Sequence, residues 1–199
     1  MTLFRNIAFC VTLCVANACQ GAIDVSIDSS VLAPGDTTGK LTVVFSGNPS
    51  DEAVQGYDLT FDFLDYTGSL IGQTVSVDSR TIFGSFLDLG STALPTAVAQ
   101  GGTINAVGTY LGAGPTATTS GTQILEYDFS LANPVSSGDG FTVALNQSST
   151  INDANLQPIS ISSFGTTTVS AVPEPNSIAA IACVGTIAGI YRRRKNKMA

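Results

Sequence analysis

Apolar and polar residues alternate with a period of two along most of the middle of the chain. The clearest case is the segment 57–63, in which four aromatic or aliphatic side chains alternate with Asp58, Thr60 and Asp62. Because successive side chains of a strand point to opposite faces, this period predicts strands and not helices. The pattern recurs, as short alternations or apolar runs, at 23–27, 41–45, 75–77, 104–110, 125–131, 141–145, 159–161 and 166–169.

Clusters of Gly, Pro, Asn, Asp and Ser separate these segments, as in the turn sequence Ser137-Gly138-Asp139-Gly140. Short strands at this spacing are typical of two packed sheets. Eight or nine strands therefore predict an all-β fold, an antiparallel two-sheet β-sandwich, over residues 23–171.

The N-terminus has the three parts of a secretory signal peptide. Arg5 precedes an apolar block from Ile7 to Ala16, and the small-residue site Ala16-Asn17-Ala18 follows. The block is too short to cross a hydrocarbon layer of about 30 Å, so residues 1–22 are predicted to be a signal helix that signal peptidase removes. Cleavage after Ala18 would leave Cys19 first, as in bacterial lipoproteins; simple secretory cleavage is the alternative.

The C-terminus carries a motif, an apolar stretch and a basic tail in that order. Val172-Pro173-Glu174-Pro175 is followed by the stretch Ser177 to Tyr191. The tail contains Arg192, Arg193, Arg194, Lys195 and Lys197. Prolines prevent helix before Asn176, and cations stay on the cytoplasmic side, so 177–191 is predicted to be a transmembrane helix. Fifteen residues cover only about 22 Å, so the flanking residues must help the helix to span.

Residues 172–199 resemble the PEP-CTERM sorting signal of bacterial exported proteins, with Val172-Pro173-Glu174-Pro175 in the place of the namesake motif. The resemblance implies recognition by an exosortase, a membrane-embedded cysteine-type protease or transpeptidase. Such an enzyme removes the helix and passes the ectodomain to the cell surface or the extracellular polysaccharide. The alternative is a plain membrane anchor behind a chance Pro-Glu-Pro.

Composition excludes most catalytic chemistry from the predicted sandwich. The chain has no histidine, and its four cysteines lie at 10, 14, 19 and 183, within the two ends. A Ser-His-Asp triad, a thiolate nucleophile and His- or Cys-ligated metals are therefore excluded. Carboxylate pairs remain, of which Glu126 and Asp128 lie about 6.6 Å apart on a strand face. They are more typical of a solvent face, and we predict no enzyme; a calcium-dependent hydrolase is the remote alternative.

The acidic and basic residues are unevenly distributed between the middle of the chain and its two ends. All fifteen acidic residues fall between Asp24 and Glu174, where the basic residues are Lys40 and Arg80, so the ectodomain carries a net charge of −13. Such a domain repels phosphate backbones, and nucleic-acid binding is not expected. The charge favours solubility outside the cell, or contact with cations or a basic partner.

The start of the sandwich resembles cohesin-like and related carbohydrate-binding domains. The resemblance covers about 40 residues: Val31-Leu32-Ala33-Pro34-Gly35-Asp36-Thr37, the strand Leu41 to Phe45 with its following Ser46-Gly47 and Pro49, and Gly56-Tyr57-Asp58-Leu59. It implies a nine-stranded jelly-roll-like sandwich that binds protein or polysaccharide. The alternative is that any exported sandwich needs a Pro-Gly-Asp turn here, since proline sets φ and glycine accepts positive φ.

Two residue groups are candidates for ligand contact. Asn152, Asp153 and Asn155 would supply oxygen ligands to Ca²⁺, but they lack the spacing of an EF-hand loop, and turn chemistry explains them without a metal. The chain has no tryptophan, and Tyr57 and Tyr127 are predicted to lie in the core. Tyr66 and Tyr110 are therefore the candidate residues for stacking on sugar rings. The sequence thus predicts an exported surface or matrix protein, structural or adhesive, with a binding module for exopolysaccharide or a partner protein as the alternative.

Overall fold

The computed structural model describes residues 21–48, 51–111 and 116–172, which are built almost wholly of strands and turns. No helix among these residues is both long enough and apolar enough to span a membrane. The predicted transmembrane helix and residues 1–20 of the predicted signal segment lie outside the described residues, whereas Ala22, the last residue of that segment, begins the first strand. The strands are β1 (Ala22–Ser29), β2 (Thr38–Asn48), β3 (Glu52–Ala53), β4 (Gly56–Thr67), β5 (Thr74–Ile82), β6 (Leu87–Asp88), β7 (Thr96–Ala99), β8 (Thr103–Thr109), β9 (Thr116–Ala117), β10 (Thr122–Leu131), β11 (Gly140–Leu145), β12 (Thr150–Asn152), β13 (Pro158–Phe164) and β14 (Thr166–Ser170).

Two sheets form the layers of the sandwich. The front sheet has the antiparallel order β1–β2–β10–β5–β7. The back sheet has the antiparallel order β14–β11–β4–β8–β6, with β12 also paired to β4. A small ribbon of β3 and β9 completes the described strands.

One strand departs from the predicted antiparallel pairing. β13 pairs antiparallel with β12 of the back sheet and parallel with β1 of the front sheet, and so joins the two layers. The turn at 153–157 reverses the chain after β12, which sends β13 in the same direction as β1. The sandwich is therefore closed along one side by a parallel pair.

The alternating segments supply the core as predicted, and all nine are strands in the structure. In β4 the side chains of Leu59, Phe61 and Phe63 are at most 1% exposed, whereas Asp58 between β12 and β8 is exposed. Aromatic rings from the two sheets meet in the interior, with centroids 5.8 Å apart for Phe61 and Tyr127. Burial of these rings removes large apolar areas from water and is the main stabilising contribution to such a fold.

Irregularities in two strands change which residues face the core. In β4, Asp65 has a φ of 51°, and the pairing with β11 shifts at this point, so that Tyr66 turns inward. In β5, the pairing with β10 skips Asp78, so that Arg80 turns inward. A bulge adds one residue to a strand and thereby reverses the in-and-out order beyond it.

Closely paired residues mark the end of the sandwich at which the described chain stops. Ala171 forms a parallel bridge with Leu32, and the amide of Val172 donates to the Leu32 carbonyl at 3.0 Å. On its other side, the amide of Ala171 donates to the carbonyl of Asp139 at 2.9 Å. We call these residues, with Gly138, the terminal clamp. The predicted Pro-Gly-Asp turn lies beside it, with Gly35 at a φ of 103°.

Candidate interaction surface

The outer face of the front sheet is polar and carries a small ion-pair network. Lys40 Nζ lies 2.6 Å from Glu126 Oε1 and 3.5 Å from Asp128 Oδ1, and the hydroxyl of Ser79 donates to Asp128 at 2.6 Å. The hydrogen bond from Ser79 and the charge of Lys40 hold the pKa of Asp128 below its usual range, and the hydrogen bond to Glu126 raises the pKa of Lys40. A lowered carboxyl pKa is the opposite of what a general acid needs, so Asp128 is not suited to that role.

An open groove of about 480 Å³ lies beside this network. Its charged wall contains Lys40, Asp78 and Asp128, and Val31 is 79% exposed at its margin. Its floor is the buried Phe129, reached over Gly39. Every charged side chain in the groove already has a partner within the protein, because Asp78 accepts a hydrogen bond from Ser76 at 2.6 Å.

The residues predicted as calcium ligands form a turn. Asp153 Oδ1 accepts the backbone amides of Asn155 and Gln157, each at 2.8 Å, and thereby closes the connection between β12 and β13. These hydrogen bonds, that of Gln157 first, lower the pKa of Asp153. Within the described ranges no group of three or more acidic, cysteine or histidine residues is arranged to hold a metal ion. The hydrogen bonds of Asp153 are those of a residue that closes a turn.

The tyrosines predicted to stack on sugars are not free rings on a surface. Tyr66 is 4% exposed, and its hydroxyl donates to the Val98 carbonyl at 2.8 Å, so the prediction of an exposed Tyr66 is corrected: the bulge at Asp65 turns it into the core. Tyr110 is half-buried, with its ring edge-on to Phe86 at 5.7 Å. A sugar-binding platform usually needs an exposed aromatic face, and neither residue provides a fully open one.

The outer face of the back sheet differs from that of the front sheet, because it carries exposed aliphatic side chains on its strands. Leu87 and Leu89 are 46% and 57% exposed. They are two residues apart in an extended segment, and so lie on one face. The amide of Leu89 donates to the Val107 carbonyl at 2.9 Å. Val107 is paired with Asp58 on β4, and the Asp58 side chain faces outward. We call Leu87, Leu89 and Val107 the apolar row.

The surroundings of the apolar row are acidic and polar. Asp58 is exposed next to Val107, and Asp62 farther along β4 accepts a hydrogen bond from the Asn146 side chain at 2.8 Å. Leu64, 36% exposed, is the next aliphatic residue on the outward side of the same strand. Aliphatic residues bordered by polar ones are typical of protein interaction sites.

An ion pair that is buried on its Arg80 side holds β6, the strand that presents Leu87. Arg80 points into the sandwich with a side chain only 9% exposed, and its Nη2 pairs with Asp88 Oδ2 of β6. Burial opposes ionisation of Asp88, but hydrogen bonds from Ser91 and Arg80 outweigh it and leave the pKa of Asp88 below its usual range. The Asp88 side chain is 40% exposed but turns toward Arg80, so its neighbours Leu87 and Leu89 point to the opposite side of the strand.

Sequence reasoning did not identify this surface. The signal was present as the triplet Leu87-Asp88-Leu89, which alternates, but three residues are too few to distinguish a strand from a loop. Of the sorting motif, the structure describes Val172, which is 49% exposed, whereas Pro173, Glu174 and Pro175 and the basic tail at 192–195 lie outside the described residues.

Solved structures of cohesin modules are similar to this chain. A cohesin from a Clostridium perfringens family 33 glycoside hydrolase has a TM-score of 0.54 at 12% identity, covering 77% of this chain and 98% of its own. The sixth cohesin of Acetivibrio cellulolyticus scaffoldin B, in complex with a Cel5 dockerin, has a TM-score of 0.55 at 17% identity, covering 75% and 99%. The Clostridium thermocellum Coh-OlpA–Doc918 complex has a TM-score of 0.52 at 14% identity, covering 76% and 99%.

No family model and no curated protein matches the sequence. At such low identities the structural likeness establishes the fold, which is a cohesin-like β-sandwich. It agrees with the fold implied by the resemblance of residues 31–37 and 56–59 to cohesin-like domains.

Proposed function

We propose that this protein is a non-catalytic binding module that holds a partner protein on the outer face of its back sheet. The observation that carries the proposal is the apolar row, where Leu87 and Leu89 stand exposed on a sheet face beside Val107. Leu87 on the short strand β6 and Leu89 just after it are held in place by the Arg80–Asp88 ion pair, and a surface that is ordered before binding loses less entropy on binding. The cohesin-like fold supports a binding module over an enzyme.

A protein partner is favoured over a polysaccharide. Leu87 and Leu89 provide aliphatic contact area, whereas Tyr66 is buried and Tyr110 is half-buried. Sugar recognition relies largely on open aromatic faces, and protein interfaces rely on desolvated apolar centres with a polar rim. Two of the similar cohesin structures contain a dockerin, a protein ligand. For this chain we propose a protein ligand of comparable role.

The partner is expected to be basic around its contact area. The described residues contain two cations, Lys40 and Arg80, and both are already paired with acids of the same chain. Asp58, next to the apolar row, is exposed. A partner with lysines or arginines around an aliphatic centre would complement this surface, and its association would be faster at low salt.

We further propose that the module is exported and displayed at the cell surface or in the extracellular matrix, as in an exopolysaccharide biofilm. The support is the sequence: a signal peptide at residues 1–22 for signal peptidase, and residues 172–199 in the order of a PEP-CTERM signal for an exosortase-like enzyme. Before processing, the helix 177–191 would hold the protein in the membrane. A displayed module with a binding face is an adhesive component of the envelope.

The test compares variants of the apolar row with matched controls. The double variant Leu87→Ser, Leu89→Ser and the control Ile71→Ser, 65% exposed in a turn outside the row, are immobilised and exposed to extracts of the producing organism. A specific partner, identified by mass spectrometry from the wild type, should then bind the control unchanged and bind the double variant at least about tenfold more weakly. Equal binding by all three would show that the face is wrong.

Retention on the producer's own purified exopolysaccharide is measured in parallel. Retention that survives the double variant, without any protein partner, would favour the polysaccharide alternative over the protein-binding proposal.

A further inference from the structure

The groove on the outer face of the front sheet lies on the opposite layer from the apolar row. We call it the front groove, with Val31, Lys40, Asp78 and Asp128 among its lining residues. Its volume is about 480 Å³. Val31, Lys40 and Asp78 are exposed, and the side chain of Asp128 is 46% exposed, so these groups are open to a ligand.

A bulge in β5 brings a second carboxylate to the front groove. The pairing of β5 with β10 skips Asp78, so that Asp78 and Ser79 are consecutive exposed residues of this strand. Two residues of a bulged strand oppose one residue of its partner, and here that residue is Asp128, which is paired with Ser79. Asp78 therefore joins Asp128 on the outer face.

The front groove has more negative charge than its lysine neutralises. Lys40 Nζ lies 2.6 Å from Glu126 Oε1 but 3.5 Å from Asp128 Oδ1, so Glu126 makes the closer contact. Serine hydroxyls donate to Asp78 and to Asp128, each at 2.6 Å, which fixes the two carboxylates without neutralising them. Three carboxylates against one ammonium group leave an excess of two negative charges.

An exposed valine stands at the margin of the front groove on a fixed backbone. Val31 is 79% exposed, whereas the next residue, Leu32, is 2% exposed and belongs to the terminal clamp. On the other side of Val31, the Ser30 amide donates to the Lys40 carbonyl at 2.9 Å, and the Ser30 hydroxyl accepts the Lys40 amide at 2.8 Å. An apolar group that is held in place before binding loses less entropy on binding.

Charge complementarity indicates what occupies the front groove. Its excess negative charge repels phosphates and anionic lipids. A second copy of the described domain offers no free cation, because its Lys40 and Arg80 are both paired. Sugar stacking needs an open aromatic face, and the ring of Phe129 at the floor is 1% exposed. A cationic group beside an aliphatic one complements the groove, and a protein segment supplies both.

We propose that the front groove binds an extended basic segment of a second protein, with an arginine or lysine at Asp78 and Asp128 and an aliphatic side chain against Val31. The groove lies on the layer opposite the apolar row, so this inference does not rest on the function proposed for the back sheet. Occupation of both surfaces would make the domain a link between two proteins.

The experiment measures peptide binding to the immobilised full chain. The probe is the synthetic peptide Ala-Val-Arg-Val-Arg-Val-Ala, and its control carries citrulline, which is uncharged and similar in shape, in place of both arginines. The citrulline peptide should bind at least about fivefold more weakly, and added salt should weaken the binding of the arginine peptide. Equal binding of the two peptides would overturn the proposal.

Four variants locate the site. Asp78→Asn keeps an acceptor for the Ser76 hydroxyl but removes a charge, and should bind the arginine peptide about threefold more weakly, as should Val31→Ser. Lys40→Met removes the competing cation and should bind about threefold more tightly, which damage to the fold would not produce. The control Asp65→Asn, exposed on β4 at a φ of 51° that asparagine also accepts, should bind like the wild type.

Three further results would overturn the proposal. The first is equal binding by Asp78→Asn, Lys40→Met and the wild type. The second is competition by spermidine, a polycation without aliphatic side chains, as strong as that of the peptide and unchanged in Val31→Ser; the groove would then attract cations in general. The third comes from hydroxyl-radical footprinting of the peptide complex, which should protect Val31 and leave Leu87 labelled as in the free protein. Protection of Leu87 alone would place the peptide on the apolar row.

Discussion

The carboxylate of Asp139 accepts two hydrogen bonds from Ser69, one from its amide at 2.9 Å and one from its hydroxyl at 2.5 Å. It also accepts the amide of Ser136 at 2.7 Å. These bonds tie the 3-10 turn Gly68–Leu70 after β4 to the turn before β11, and Asp139 is 3% exposed. The pKa of Asp139 is lowered, first by the Ser69 hydroxyl, which shows that the site favours the charged form.

Replacement of this carboxylate should weaken the whole sandwich. Asp139→Ala leaves the amides of Ser69 and Ser136 without their acceptor in a buried place, so the melting temperature should fall by several degrees. Asp28→Ala, at an exposed position of β1, is the matched control and should melt like the wild type. Equal melting of both variants by calorimetry would contradict the role assigned to Asp139.

The Arg80–Asp88 pair should behave as a half-buried ion pair, because the Arg80 side chain is 9% exposed and the Asp88 side chain is 40% exposed. Asp88→Ala removes the carboxylate from the largely buried guanidinium of Arg80, but water reaches the Asp88 side of the pair, so the free energy of unfolding should fall by about 1.5 kcal/mol. The double variant Arg80→Met, Asp88→Ala should recover part of this loss, because no unpaired charge remains. As a control, Lys40→Met removes the cation of the exposed Lys40–Glu126 pair and should change the free energy of unfolding by less than about 1 kcal/mol. Additive losses in the double variant would show that Arg80 and Asp88 do not stabilise the protein as a pair.

Two buried tyrosines should respond in opposite ways to loss of the hydroxyl. Tyr66→Phe removes the hydrogen bond to the Val98 carbonyl and should destabilise the protein by about 1 kcal/mol. The Tyr57 hydroxyl is buried and has no hydrogen-bond partner in the described part of the chain, so Tyr57→Phe should be neutral or stabilising. Denaturant unfolding of both variants measures the difference, and a larger loss for Tyr57→Phe would contradict the packing described.

Stability should also fall at alkaline pH. Burial raises the pKa of Tyr66 and of Tyr127 from 10.0 to about 12, and raises that of Tyr57 further. Because the folded state favours the neutral phenol, this contribution is complete below pH 10 and is lost as the pH rises toward 12. Ultraviolet titration should show a phenolate component near pH 12 that is smaller in Tyr66→Phe. A wild-type titration complete near pH 10 in the folded state would contradict this.

The period-two pattern predicted the strands because core burial dominates their placement. Leu59, Phe61 and Phe63 face inward as the alternation requires. The errors arose at bulges, where one added residue reverses the order: Tyr66 was expected outside and lies inside, and the inward position of Arg80 was not foreseen. A bulge is determined by pairing with a neighbouring strand, which a single sequence does not reveal.

The interaction surface was harder to predict than the core. Leu87 and Leu89 belong to a segment of little regular pattern, and their exposure depends on Asp88 turning toward Arg80, a contact between separate strands. The cohesin-like resemblance gave the fold from the Pro34-Gly35-Asp36 turn and the strand after it. It did not indicate which side chains of this chain would be exposed on the back sheet.

Side-chain footprinting of the partner complex tests the central claim most directly. Hydroxyl radicals label exposed side chains, so the labelling of Leu87, Leu89 and Val107 is compared with that of Ile71 and Leu156 in the free and the bound protein. Leu156, 70% exposed in the turn between β12 and β13, is a second site outside the row. The account predicts strong protection of the apolar row and unchanged labelling of Ile71 and Leu156. Protection confined to the front sheet, with the apolar row still labelled, would contradict it.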